Sequence, residues 1–333
     1  MQCIRVHGRA SEMHQRCIGD VQSTIRRVVL WQNQPELFNN RAQLCKLNQN
    51  MAYCLIHRSQ PIPLSINKNA IINLDLIREA TSNLNGSHPP NERIWLAITK
   101  NWCNLSSGVR NFLWKLIHNA HKCGNHWLKI RNFKDRGVCH NCNTTESMQH
   151  IIFNCEANHC SHAWDIVKEL CSLKCIPWPH SFDITSIMAL PLLKVKSEND
   201  RIRTGATHLL LIAASECAFL MWKTCCKRLF DDNTETQNKT PAPQEIRHNL
   251  ITILNERLEH DHILTSWKRY QSRALPGKLV LNTWSGTLLN ESSLPEDWLK
   301  ANGVLVGIAK RPPAGNTTLD WSGIGWVPHS FCA

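Results

Sequence analysis

Cys139-His-Asn-Cys142-Asn-Thr-Thr-Glu-Ser-Met-Gln-His150-Ile-Ile-Phe-Asn-Cys155 has the spacing C-x2-C-x7-H-x4-C. Three thiolates and one imidazole are the soft and borderline donors that a closed tetrahedral zinc site takes. Two cysteines three apart can chelate one ion from a tight turn, and the residues from Asn143 to Gln149 carry the chain round to a short helix. The spacing predicts that Thr144 or Thr145 caps this helix with Glu146 in its first turn. His150 then projects from the helix, and Cys155 closes the site just past its end. Four protein donors leave no place for water, which points to a structural ion rather than a catalytic one. Cys139, Cys142, His150 and Cys155 are therefore the candidate metal ligands, and zinc is the candidate cofactor. The alternative is four unconnected buried residues, because the chain holds 16 Cys and 17 His in 333 residues. His159, Cys160 and His162 stand close enough to compete, but their spacing fits less well and they are read as bystanders.

Upstream of the motif, Ser106 to Lys122 has the clearest helical period in the chain. Val109, Phe112, Leu113, Leu116, Ile117 and Ala120 fall on one stripe of a 3.6-residue wheel, with Arg110, Lys115, His118, His121 and Lys122 opposite. Trp114 sits within the basic face. From Lys100 to Arg136 the chain carries Lys or Arg at 100, 110, 115, 122, 129, 131, 134 and 136 against Asp135 alone. A positive face with an aromatic ring offers phosphate neutralisation and a π-surface for an unpaired base. Arg110, Trp114, Lys115, Lys122, Lys129 and Arg131 are the candidate nucleic-acid contacts, to RNA or DNA. The competing reading is a solvated charged face with Trp114 half-buried against a neighbouring helix.

The remaining segments are organised around this module, and together they predict a mainly α fold, an irregular helical assembly around a small zinc-stapled CCHC finger. Residues 1–38 are basic and unassigned. Residues 39–100 read as a helical linker region, with one helix over Arg41–Tyr53, a second from Asn73 to Leu84 (Leu74, Ile77, Ala80 and Leu84 inward), and a third beginning at Asn91. Residues 101–180 hold the basic helix and the finger, followed by a helix at Ala163–Leu170. Residues 181–232 include the run Leu209 to Trp222, apolar almost all round and so a buried helix. A polar linker, 233–243, leads to the C-terminal helix and extension, 244–310, in which Ile246, Leu250, Leu254 and Leu258 recur at i, i+4. Residues 311–333 read as an irregular tail.

A formal charge of +12 favours polyanionic partners. The N-terminus Met1-Gln-Cys-Ile-Arg-Val-His has no apolar signal segment, so the cysteines are read as thiols of a reducing compartment, nucleus or cytoplasm, rather than a disulfide framework. An Arg-rich first 35 residues with only Glu12 and Asp20 acidic loosely resembles a transit peptide. Leu209–Trp222 is too short for a membrane span and contains Glu216, so no membrane partner is expected. Two-metal nucleases and polymerases need several carboxylates in apolar strand settings, and the first 70 residues offer only Glu12, Asp20 and Glu36. Neither Tyr53 nor Tyr270 precedes an Asp-Asp pair, and there is no P-loop or nucleophile elbow. The expectation is a protein that is not an enzyme and has no small-molecule substrate.

The segment Gly108-Val-Arg-Asn-Phe-Leu-Trp-Lys-Leu-Ile-His-Asn-Ala-His121, followed by the Cys139-Cys142-His150-Cys155 knuckle, resembles the region downstream of the reverse transcriptase and ribonuclease H domains in fungal non-LTR (LINE-like) retrotransposon polyproteins. It is similar to the reverse-transcriptase zinc-binding type. Arg41–Tyr53, Ser215–Lys223, Glu245–Thr265, and Thr283–Leu289 through Val304–Ile308 share the resemblance, which extends over about residues 40 to 310. The ribonuclease H domain that should stand before residue 40 is not recognisable, and residues 1–38 and the tail after Lys310 do not match. The resemblance implies a truncated element remnant, or a host gene derived from one, whose zinc region helps a polymerase hold RNA or target DNA. The function expected is a non-catalytic, zinc-binding, nucleic-acid-binding remnant. The alternatives are a zinc-dependent protein-interaction module and a vestigial ribonuclease H fragment.

Overall fold

The apolar run Leu209 to Trp222 is the middle of a 27-residue helix, Thr204–Phe230, on which the rest of the fold is built. The computed structural model describes residues 68–100, 105–230, 240–301 and 303–308, together with Gln49. All of these but Gln49 belong to one compact unit, Asn67–Ala333. The expected helix at Arg41–Tyr53, the segment 1–38, the tail 311–333 and most of the linker 233–243 lie outside the described residues.

The unit is mostly helical, as the hydrophobic periods imply. In chain order its main elements are α1 (Lys68–Asn85), α2 (Asn91–Lys100), α3 (Ser107–Ile117), a one-turn α4 (Asn125–Leu128), the two-residue strands β1 (Val138–Cys139) and β2 (Thr144–Thr145), and a π-turn (His150–Asn154). These are followed by α5 (Cys160–Leu173), α6 (Ile184–Ala189), α7 (Thr204–Phe230), α8 (Pro243–Leu264), a one-turn α9 (Trp267–Tyr270) and α10 (Gly277–Trp284). α1 begins five residues before the sequence period does, and Leu74, Ile77 and Ala80 are its buried stripe.

α7 packs against α3, α5, α8 and α10, which is why its sides are all apolar. Its most apolar stretch is long enough to cross a membrane, but 72% of it is buried inside the protein. Ala206, Ala213, Ala214 and Ala218 let neighbouring helices approach closely. At Gly205 the approach is closest: a Cβ there would stand 2.3 Å from the carbonyl oxygen of Asn282 in α10.

Where α7, α8 and α10 meet, a small set of buried polar groups fixes their register. Trp284 Nε1 donates to Asp261 Oδ2 at 3.0 Å, and Arg257 Nη2 lies 3.4 Å from Asp261 Oδ1. His208 Nδ1 stands 3.1 Å from Thr283 Oγ1, whose hydroxyl donates to the Leu279 carbonyl at 2.7 Å. Burial pushes the Asp261 carboxyl up to about 6, with Arg257 opposing the shift. Burial, with Arg257 adding to it, pushes His208 down to about 4. Past α10, an isolated bridge pairs Leu288 with Val306, which brings together the two C-terminal stretches noted in the sequence.

Candidate metal centre

β1 and β2 form an antiparallel hairpin in which Cys139 faces Thr144 and Val138 faces Thr145. Cys142 lies in the turn between them, and Asn143 takes a left-handed conformation with φ 51°, one that Asn tolerates better than most residues. The expected cap is corrected here. Thr144 and Thr145 are not at a helix start, because as β-branched residues they are taken up by the strand. Ser147 serves instead, its Oγ accepting from the His150 N–H at 3.0 Å. Glu146 precedes the helix rather than standing in its first turn, and it is buried.

His150 and Cys155 are brought to one side by the π-turn. In an α-helix, residues five apart point about 140° away from each other. Here the Cys155 N–H donates to the His150 carbonyl at 2.8 Å, an i→i+5 bond that carries Cys155 back over His150. The widened turn is held by side chains that satisfy its carbonyls: Trp164 Nε1 donates to Ile152 O at 2.8 Å, and Cys160 Sγ to Ile151 O at 3.2 Å. Ile151 and Ile152 are buried in the same core as the long helices. Phe153 stacks on Trp164 at 4.9 Å with their planes 5° apart.

The result is convergence. The ligand atoms of Cys139, Cys142, His150 and Cys155 all lie within 4.8 Å of one another, and Cys139 Sγ is 3.8 Å from Cys155 Sγ. These four residues could hold a metal ion. His150 Nδ1 is 3.5 Å from Thr144 Oγ1, while its Nε2 is buried with no hydrogen-bond partner. A buried nitrogen without a partner fits an ion held by the group, which would satisfy it. Burial, then Arg228, holds the imidazole below its ordinary pKa, and so in the neutral form that ligates. His159, Cys160 and His162 are not part of the group.

Arg228, in the last turn of α7, was not singled out by the sequence. Its Nη1 donates to Asn141 Oδ1 at 2.8 Å, its Nη2 lies 3.8 Å from Cys139 Sγ, and the same nitrogen is 3.8 Å from Glu146 Oε1. Both side chains of the Arg228–Glu146 pair are almost completely buried, 3% and 1% exposed. Burial pushes the Glu146 carboxyl up, and Arg228 pulls it back. At Cys139 burial also raises the thiol, but the Cys142 backbone and Arg228 outweigh it, and the pKa falls below the usual value. Burial, then the neighbouring Cys139, drives Cys155 far upward.

The candidate nucleic-acid contacts divide into two groups. On α3, capped by Ser106, the stripe Val109, Phe112, Leu113, Leu116 and Ile117 is buried as the period implies. Ala120 falls past the end of the helix and is exposed. Trp114 and Lys115 are exposed and Arg110 is half-buried. Lys122, Lys129 and Arg131 are exposed on the connection around α4 rather than on the α3 face. Arg136, one of the charges of the basic run, is folded back: its guanidinium lies 4.7 Å from the Phe133 ring, 4.9 Å from Phe230 and 5.4 Å from Trp127.

No protein-family model matches the chain, and no match was found among curated proteins or solved structures.

Proposed function

We propose that the protein is a non-catalytic zinc protein that binds nucleic acid, akin to the C-terminal region of a LINE-like retrotransposon polyprotein. The observation that carries the zinc reading is the convergence of four donor atoms within 4.8 Å. A tetrahedral ion with Zn–S bonds of about 2.3 Å sets its sulfurs about 3.8 Å apart, the distance between Cys139 Sγ and Cys155 Sγ. Cys139, Cys142 and Cys155 would supply thiolates and His150 its Nε2, with Thr144 accepting from Nδ1–H and fixing the tautomer. Zinc with three thiolates carries one net negative charge, and Arg228 lies where it offsets that charge. With four protein ligands the ion is structural: it fastens a hairpin and a π-turn that are too short to hold each other otherwise.

The nucleic-acid reading is supported by the basic run leading into the knuckle and by the exposure of Trp114, Lys115, Lys122, Lys129 and Arg131. The retrotransposon origin rests on the resemblance of Gly108–His121 and the knuckle to that family. Elemental analysis of the purified chain should return one zinc per molecule, lost in Cys142→Ser. Fluorescence anisotropy with labelled single-stranded RNA and DNA should show affinity that falls steeply with salt. A zinc-free protein refutes the first half of the reading. No binding at low salt refutes the second and leaves the protein-interaction alternative.

A further inference from the structure

Arg110, Trp114 and His118 stand four residues apart on α3 and its C-terminal cap, and so share one row of its outer surface. Trp114 is 46% exposed. One face of its indole is covered by His118, with ring centroids 4.0 Å apart and planes 25° apart. His118 is itself fixed: its Nδ1 lies 2.8 Å from the Trp114 carbonyl oxygen, and Trp95 of α2 packs on its ring at 5.4 Å. No other ring contact is made by Trp114 among the described residues. The indole is therefore propped from behind and presented to solvent on its other face.

The charges beside it have one sign. Arg110 precedes Trp114 by one turn and Lys115 follows it, α3 carries no acidic residue, and neither cation has an ion pair among the described residues. An apolar segment of protein would meet two uncompensated cations at this ring. A nucleic-acid strand meets them with phosphates, and an unpaired base offers a flat π-face to the indole. A duplex keeps the faces of its bases stacked inside and offers phosphates, sugars and base edges, but no free π-face along its length.

We infer that Arg110, Trp114, Lys115 and His118 form a subsite for one unpaired nucleotide, the base on the free face of Trp114 and the flanking phosphates on Arg110 and Lys115. This rests on the nucleic-acid reading above and adds single-strand selectivity to it. His118 is a positioning residue that keeps the indole from rotating away.

The test compares a labelled twelve-nucleotide oligothymidylate with an abasic deoxyribose-phosphate strand of equal length and charge, by anisotropy on the full chain at fixed low salt. The base-bearing strand should bind roughly tenfold tighter. Trp114→Ala should remove that preference, Trp114→Phe should keep most of it, and His118→Ala should lower it while His118→Phe restores it. Arg110→Ala with Lys115→Ala should weaken both strands alike and flatten the salt dependence by roughly 1 to 1.5 in log–log slope. Equal affinity for the two strands, or a Trp114→Ala protein that keeps the preference, overturns the subsite while nucleic-acid binding stands. Failure of both strands to bind at low salt overturns both.

Discussion

Arg228 ties the far end of the core helix to the candidate metal centre with one guanidinium that touches Asn141, Cys139 and Glu146. Because the pair with Glu146 is buried, removing one partner strands the other charge, at a cost of about 3–5 kcal/mol. Arg228→Met should therefore lower the urea midpoint sharply, and Arg228→Met with Glu146→Gln should recover much of the loss. Metal affinity should behave differently: competition against a chromophoric chelator should show it weakened roughly 10- to 100-fold in both variants, because the contact with Cys139 is gone in each. Recovery of affinity along with stability would mean that Arg228 acts on the fold alone. A second pair of buried groups makes a pH claim. His208 is held at about 4, below its ordinary 6.5, so it contributes stability at high pH that is lost as pH falls from 6.5 toward 4. Asp261 is held at about 6, above its ordinary 3.8, so its contribution is present at low pH and lost as pH rises from 3.8 through 6. The two slopes oppose each other over the same interval and nearly cancel. Asp261→Asn should unmask the histidine, giving a protein that loses roughly 3 kcal/mol relative to the parent between pH 6.5 and pH 4. His208→Asn should tilt the other way, and parallel profiles for all three proteins would exclude the assignment.

At the scale of elements, the π-turn decides whether the four donors meet. Asn154 is exposed and lies outside the ligand group. Inserting an alanine after it moves the cysteine to the sixth position beyond His150, about 120° away from it at 100° per residue. The insertion should abolish zinc retention, whereas Asn154→Ala should leave one zinc per chain. Gly205 makes the corresponding point for packing: Gly205→Ala drives a methyl into the α10 backbone at Asn282 and should cost about 1–3 kcal/mol in a denaturant melt. Neither feature was legible in the sequence. The period of Val109 to Ile117 and that of Ile246 to Leu258 showed α3 and α8, because one face of each is buried and the other wet. The uniform apolarity of Leu209–Trp222 showed α7 for the opposite reason. The ligand spacing showed which four residues converge. The hydrogen-bond register that makes them converge leaves no mark in composition, and Thr144–Thr145 suits a cap and a strand equally well. Arg228 lies far along the chain from the motif, in a Lys-Arg pair that reads as an ordinary helix C-terminus.

For the whole molecule, the consequence is that the candidate metal centre is not an appendage. A knuckle on a linker would unfold alone when stripped of its ion. Here Cys139, Ile151, Ile152 and Cys155 belong to the same continuous core as α5 and α7, and Trp164 of α5 donates to the π-turn backbone. The π-turn and the last turn of α7 are therefore expected to respond together, since an ion held by the four donors would fix the sulfur that Arg228 contacts. α8 and α10 meet α7 near its other end, at His208, around Asp261 and Trp284, and these contacts use no candidate ligand. Hydrogen exchange measured before and after a strong chelator should show protection lost over residues 138–155, with a smaller loss at Cys225–Phe230, while Leu250–Asp261 and Leu279–Trp284 keep theirs. Loss confined to the hairpin would show that the contact with Arg228 carries no structural coupling. Loss everywhere would show that the ion holds the whole helical core, a stronger dependence than a shared hydrophobic interior and one guanidinium account for.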